Sequence, residues 1–452
     1  MKRLATALLT AAVLFPADNG IRIPFEKYKL ANGMRVVLAR DTSVPVVAVN
    51  VVYDVGARSE EKGRLGFAHL LERLMFDGSA HVKKGEHLNY VQANGGEAIG
   101  STHLDYTEFY ETVPSNQLAL ALWLESDRMT GLTITEENLK NQKDALQKEK
   151  ATSFDNQPYR PAISQQWPAM IFSDPHNTHS VIGTLDDVNA ATVEDVAGFY
   201  KTYYAPNNAI LVIAGDFESA EAKKLVNGYF GGISSQPQPK RPDFKQEAPR
   251  AEGKTMTVKD PNARVPAVLV GWPAPPRHSP DWYAVSMIDA VLTSGDNARL
   301  KLNMMKGRMS LLQGDSNLGW PNSGPADFKD PGYYAAILIY KPNFQAREIV
   351  DQYQNEIDHI ARDGVGRTEL GRLQALLRFS KVTAMQTALS RAKLLGIHEL
   401  LDGDAGYVEK DFASLMSVTS EQMQAAVNKY LTAGRRDVLA IVPAPPAAGG
   451  AK

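Results

Sequence analysis

The 452-residue chain contains no cysteine. A disulfide framework and a thiolate metal site are both excluded, and neither exclusion argues against export from the cell. Charge of one sign is lacking as well. The formal net charge is −2, so there is no bulk electrostatic pull toward nucleic acid or an anionic membrane, and no nucleic-acid partner is expected. Long apolar runs are missing too: beyond the N-terminus no segment approaches the ~20 continuous apolar residues of a membrane span. The nine histidines are scattered rather than gathered in a tract.

What remains is the composition of a globular protein, 44% hydrophobic and 22% charged. Its length exceeds what one core usually supports, which predicts two or more domains. The N-terminus departs from this average. Lys2 and Arg3 precede an apolar run from Leu4 to Phe15, and Pro16-Ala17-Asp18-Asn19-Gly20 follows. A basic start, a short apolar middle and a small or polar exit are the layout of a secretory signal. Residues 1–19 are therefore predicted to be removed, leaving an exported, most simply periplasmic, protein with no transmembrane span.

The chain repeats itself. Thr192-Val193-Glu194-Asp195-Val196 opens a helical pattern that runs to Tyr203-Tyr204, and the strand-like Ala209-Ile210-Leu211-Val212-Ile213-Ala214 follows a short turn. Thr419-Ser420-Glu421-Gln422-Met423 opens a second such helix, which ends at Tyr430-Leu431 before the strand Asp437-Val438-Leu439-Ala440-Ile441-Val442. The same order of helix, turn and apolar strand predicts two homologous halves. Their beginnings agree: Arg35-Val36-Val37-Leu38-Ala39 and the alternating Val47, Val49 and Val51 have a counterpart in the strand-like Val265-Pro266-Ala267-Val268-Leu269-Val270-Gly271. Asn32-Gly33 between two strand-like runs signals a hairpin. Between the halves, residues rich in Pro, Gln, Lys and Arg read as a linker. With helical patterns over 117–130, 136–152, 345–362 and 367–401, the prediction is an α+β chain. It comprises a domain over 20–235, a linker over 236–253 and a domain over 254–445, each a mixed sheet with helices packed mainly on one face.

The most informative stretch is His69-Leu70-Leu71-Glu72-Arg73. On a helix, residues four apart share a face, so His-x-x-Glu-His offers two imidazoles to one metal, with a glutamate placed to take a proton from a metal-bound water. Here the second imidazole is replaced by Arg73, which only donates hydrogen bonds and stays protonated. A mononuclear zinc site also needs a third protein ligand. Glu149, at the end of a strongly helical run, is the candidate, although a glutamate on a Lys/Glu-rich helix is a solvated face residue by about ten to one. His81, His87 and His103 are near the motif only in sequence.

The run Gly66-Phe67-Ala68-His69-Leu70-Leu71-Glu72-Arg73-Leu74-Met75-Phe76-Asp77-Gly78-Ser79 resembles the active-site helix of the insulinase/pitrilysin family of zinc peptidases, in particular its processing-peptidase branch. Tyr28-Lys29-Leu30-Ala31-Asn32-Gly33 and Asn89-Tyr90-Val91-Gln92-Ala93-Asn94-Gly95-Gly96 extend the likeness over nearly the whole mature chain. The resemblance implies His69 and Glu149 as metal ligands, Glu72 as general base, zinc as cofactor and amide hydrolysis as chemistry. It implies a substrate-holding edge strand through Ala98, Ile99, Gly100 and Ser101, with Ile99 where the family usually carries asparagine. It also implies an arginine and a tyrosine seven residues apart in the second half, where this chain has Met305 and Leu312, with Arg299 and Arg308 nearby. Metal ligation, substrate strand and transition-state donors are all altered. The leading expectation is a catalytically silent subunit, with Glu72 a vestigial base and zinc absent or weakly held, that binds extended peptides and partners a homologous, active peptidase subunit. An active zinc metalloendopeptidase and a stand-alone structural or peptide-binding protein are the alternatives. An Arg73–Glu149 salt bridge is predicted across the altered site.

Overall fold

A computed structural model describes residues 21–244, 250–319, 328–329 and 332–444. The predicted export signal over 1–19 and residues 245–249 of the predicted linker lie outside the described residues.

Eleven strands form two sheets among the described residues. In chain order they are β1 (Glu26–Lys29), β2 (Arg35–Arg40), β3 (Val46–Tyr53), β4 (Glu97–Thr102), β5 (Thr107–Pro114), β6 (Ala209–Gly215), β7 (Thr255–Asp260), β8 (Ala267–Pro273), β9 (Leu311–Leu318), β10 (Tyr333–Tyr340) and β11 (Asp437–Pro443). The first sheet runs β1-β2-β6-β3-β5-β4 and the second β7-β11-β8-β10-β9. Apart from β1, which joins β2 through the Asn32-Gly33 hairpin, the two orders superimpose. β2 and β6 pair in parallel, as do β7 and β11, and the remaining pairs are antiparallel in both sheets. Each half is thus the same mixed sheet, and the fold is α+β with two homologous domains.

Local sequence explains the repeat. Thr192 and Thr419 both cap helices, Val193–Tyr203 and Ser420–Tyr430, each through a capping box closed by Asp195 or Gln422. The side-chain oxygen and the returning acceptor satisfy amides that the first turn leaves unpaired. Both helices then lead into a fully or largely buried strand, β6 or β11.

The alternation of β3 and β8 sorts their side chains between two cores. Val47, Val49, Val51 and Tyr53 join the core under helices Phe67–Leu74, Leu118–Thr130, Val193–Tyr203 and Ser219–Phe230. Val268, Val270 and Trp272 meet helices Pro280–Thr293, Ala346–Asp363 and Ser420–Tyr430. The opposite faces are not open. Ala48 and Val52 are covered by Ala392, Leu395 and Leu400 of the helix Ala388–Leu401, which comes from the second half. In return, Trp167, Ile171 and Phe172 from the first half cover Ala267, Leu269, Tyr333 and Ile441. Each large apolar side chain buried in this exchange contributes roughly 1.5–3 kcal/mol. Gly396 permits the close crossing, since a Cβ there would meet Val52 at 2.9 Å.

The exchange corrects one expectation. The helical pattern over 367–401 is two helices, Arg367–Ala384 and Ala388–Leu401. Thr387 interrupts it by accepting the Ser390 amide as an N-cap, the competition a threonine hydroxyl offers to helix continuation. The break frees the second helix to cross to the other sheet. Likewise the pattern over 136–152 is regular only for Glu136–Glu149, after which wider π-type turns run from Lys150 to Asp155.

Candidate metal centre

The helix Phe67–Leu74 begins at Gly66, whose φ of 98° is accessible to glycine at little strain. Buried Glu60 accepts the Gly66 and Ala68 amides at 2.7 and 2.8 Å and so caps the helix from outside it. Phe67, Leu70, Leu71 and Leu74 point into the core. That leaves His69, Glu72 and Arg73 on the opposite side, against helix Glu136–Glu149 and edge strand β4.

His69, Arg73 and Glu149 converge. Arg73 Nη1 donates to Glu149 Oε2 at 3.0 Å, and His69 Nε2 lies 3.4 Å from the same oxygen. The ion pair expected from the sequence is present. Side-chain exposures of 34% for Arg73 and 28% for Glu149 put it between a buried and a surface pair. The His69 hydrogen bond and the His69 and Arg73 charges hold the Glu149 carboxyl below its ordinary range, against the opposing effect of burial. The guanidinium is fixed at its other end as well: Nε donates to Gln142 Oε1 at 2.9 Å, and Gln142 Nε2 donates to Asp77 Oδ2 at 2.8 Å. Gln142 was not singled out in the sequence, though it lies two helical turns before Glu149 and so on the same face.

Glu72 does not join this group. Its Oε2 accepts the Thr102 hydroxyl at 2.7 Å, tying the motif helix to β4. A Cβ on Gly100 would come within 3.0 Å of Glu72 Cγ, so glycine there lets helix and strand meet. β4 is the last strand of its sheet, and its outer edge is unpaired among the described residues. Along it Ala98, Gly100 and Ser101 are half-buried and Ile99 is 38% exposed. In the second half Leu312 is exposed on β9, also an edge strand, whereas Met305 packs against the core. Arg299 is held by both oxygens of Glu369 at 3.0 and 2.8 Å, and Arg308 reaches Glu356 at 3.4 Å.

The residues present do not fit a zinc ion. Two ligands stand where three are the rule, and the third corner is a guanidinium bonded to one of them. A divalent ion ~4 Å from that guanidinium would be repelled by roughly 8 kcal/mol at an effective dielectric of about 20. The neighbouring histidines are engaged elsewhere: His81 with Asp127 at 2.6 Å, His87 with Glu111 at 3.0 Å and His103 with Glu108 at 3.7 Å.

Comparison with known proteins agrees with the fold. Residues 35–184 match the model of the insulinase family, peptidase family M16, and residues 190–377 match that of the peptidase M16 inactive domain. The chain belongs to the M16 family. Among curated M16 relatives, it is 26% identical to an uncharacterised zinc protease of Streptomyces coelicolor over 97% of this chain and 93% of the other. It is 23% identical to the zinc protease PqqE of Helicobacter pylori over 88% and 89%. A probable mitochondrial-processing peptidase subunit beta of Schizosaccharomyces pombe is 21% identical over 84% and 82%. Among solved structures, a protease from Helicobacter pylori superimposes with a TM-score of 0.86 at 21% identity, covering 93% of this chain and all of that one. The periplasmic protease PqqL of Escherichia coli gives 0.74 at 16% identity, over 94% of this chain but 48% of that one.

Proposed function

We propose that this chain is a catalytically silent M16 subunit that binds extended peptides and partners a homologous, active peptidase subunit. The observation that carries the reading is the Arg73–Glu149 ion pair. A permanent cation occupies the corner that a second imidazole would fill, and it neutralises the carboxylate that would be the third ligand. Without a metal to acidify its water, Glu72 is left as a hydrogen-bond acceptor for Thr102. Peptide binding is supported by the free edge of β4, to which an extended chain can add as a further strand, with Ile99 offering an apolar contact. Partnership is supported by PqqL, of which this chain spans 48%, while a separate structure of the PqqL first half matches over 92% of both chains. Export is supported by the signal-like residues 1–19 and by the periplasmic description of PqqL. No helix among the described residues is long and apolar enough to cross a membrane.

The test is elemental analysis of the purified chain beside Arg73→His, with unfolded-peptide cleavage measured for both. The expected result is well under one zinc per wild-type chain, no cleavage, and metal uptake by the variant. Stoichiometric zinc with chelator-sensitive cleavage by the wild type would establish instead the active metalloendopeptidase that the names of the relatives favour. If Arg73→His takes up zinc without cleaving, Ile99, Met305 and Leu312 are the next block. Co-purification with a homologous chain carrying an intact motif tests the partnership.

A further inference from the structure

A second polar centre lies in the other half of the molecule. A cavity of about 210 Å³ runs along the helix Pro280–Thr293, between edge strand β9 and the helices Arg367–Ala384, Ala388–Leu401 and Tyr407–Met416. It is smaller than the ~300–1,000 Å³ of sites for drug-sized ligands, so it suits a small occupant. Trp282, Leu377 and Leu415 make part of its wall apolar.

The lining residues Arg277, His278 and His398 converge on Asp402. Its Oδ1 meets His278 Nε2 at 2.8 Å, its Oδ2 meets His398 Nδ1 at 2.7 Å, and Arg277 Nη2 approaches at 3.3 Å. His278 Nδ1 in turn contacts the Tyr283 hydroxyl at 3.0 Å, and Tyr283 donates to Asp411 Oδ1 at 3.2 Å. His278 has φ 61°, a left-handed backbone that a residue with a Cβ adopts only under constraint. Its ring is held from both sides, so the strained loop presents a fixed surface to the cavity. The proposed silent site uses none of these residues.

Two groups on this cavity retain unused capacity. Lys381 Nζ has no hydrogen-bond or ion-pair partner among the described residues, although its charge acts on Asp411. Asp411 uses only one carboxylate oxygen in the contacts given above. Asp411 Oδ1 also lies 3.6 Å from His278 Nδ1, but Lys381 and Asp411 border one space without pairing with each other, and so are complementary to a molecule carrying both opposite charges.

We propose that this cavity binds a free α-amino acid with an apolar side chain. Lys381 receives its carboxylate, Asp411 receives its ammonium, and the wall formed by Trp282 and Leu377 takes the side chain. The proposal is independent of whether the M16 site is silent.

The experiment is calorimetric titration of the full chain with L-leucine, N-acetyl-L-leucine, L-leucinamide and acetate, supported by the ligand-induced shift in melting temperature. Saturable leucine binding is expected below about 10 mM, at least about ten-fold tighter than either analogue lacking one charge. Lys381→Met should weaken leucine by about ten-fold and abolish its advantage over leucinamide. Asp411→Asn should do the same against N-acetyl-leucine. Circular dichroism checks that each variant is folded. Absence of saturation in folded wild-type protein, equal binding of leucine and acetate, or folded variants that bind leucine like wild type would each overturn the proposal.

Discussion

Two ionic clusters in the first half are made from the same kinds of group and differ in burial. One is the altered metal centre of His69, Arg73 and Glu149. The other joins His87, Glu111, Glu125 and Arg128, on helix Glu86–Ala93, strand β5 and helix Leu118–Thr130. Arg128 is 1% exposed and both glutamates 0%. Its guanidinium bonds Glu125 through Nε at 2.9 Å, makes a second contact to that carboxylate through Nη2, and lies 4.3 Å from the Phe109 ring centroid. Ligand atoms of His87, Glu111 and Glu125 lie close enough together to hold a metal ion. Arg128 is already among them, so this cluster too has a guanidinium where a metal would stand. In the open cluster, hydrogen bonding and charge lower the Glu149 pKa. In the closed one, burial outweighs the Arg128 charge, pushing Glu111 up and Glu125 well above the carboxylate range, while burial and Arg128 push His87 down to about 3. One arginine neutralises one carboxylate at half exposure, but two fully buried carboxylates exceed what it can keep ionised.

The largest effect should come from removing the buried cation. Arg128→Met leaves two desolvated carboxyls without a positive partner, and equilibrium denaturation should show a loss of about 3–5 kcal/mol. A loss no greater than that of Arg73→Ala would erase the distinction between the clusters. At the half-open site Arg73→Ala should remove only about 1–2 kcal/mol, between the ranges for exposed and buried pairs. That is less than a fully buried site would have implied.

The pH dependence should have opposite sign at the two sites. Glu149 is depressed in the folded state, so its contribution is present above the unfolded glutamate pKa of about 4.3 and is lost as pH falls through its lower folded value. Glu125 is raised, so the folded state holds a proton that the unfolded state has released. Its contribution is present below about pH 4.3 and is lost as pH rises toward the folded pKa. Relative to wild type, Glu149→Gln should therefore become more damaging with rising pH and Glu125→Gln less so, each by at most about 1.4 kcal/mol per pH unit. Parallel denaturation curves from about pH 2 to 8 check the signs, with Glu149 read below about pH 4.3 and Glu125 above it, and slopes of the same sign would contradict the assignment.

The smallest change tests the support of Arg73. Gln142→Ala removes the acceptor of its Nε proton and should cost about 0.5–1.5 kcal/mol. The same variant made on an Arg73→Ala background should cost less, because the shared hydrogen bond is already gone. Full additivity would show that Gln142 acts independently of Arg73.

Much of this was legible in the sequence because the signals are local. The capping residues Thr192 and Thr419, the Asn32-Gly33 hairpin and the alternation of β3 and β8 each act within a few residues, and together they marked the repeat. The motif spacing put His69 and Arg73 on one helix face, and charge alone matched Arg73 to Glu149. Gln142 and the Arg128 cluster were missed, since a polar residue on a helix looks the same whether it meets water or a distant strand. The break at Thr387 was also overlooked, because threonine is tolerated inside helices and only the tertiary crossing shows that its capping conformation prevails.

The sequence by itself determined the two-domain α+β repeat, the family and the replacement of a metal ligand by a permanent cation. These follow from periodicity, capping chemistry and the fixed charge of arginine. Tertiary structure decided that each half covers the outer face of the other's sheet, and that Arg73 is locked between Glu149 and Gln142. It also decided which charges are buried deeply enough to change their protonation. Those outcomes depend on which surfaces meet across long stretches of chain, and desolvation, the strongest influence on a buried charge, exists only once they have met.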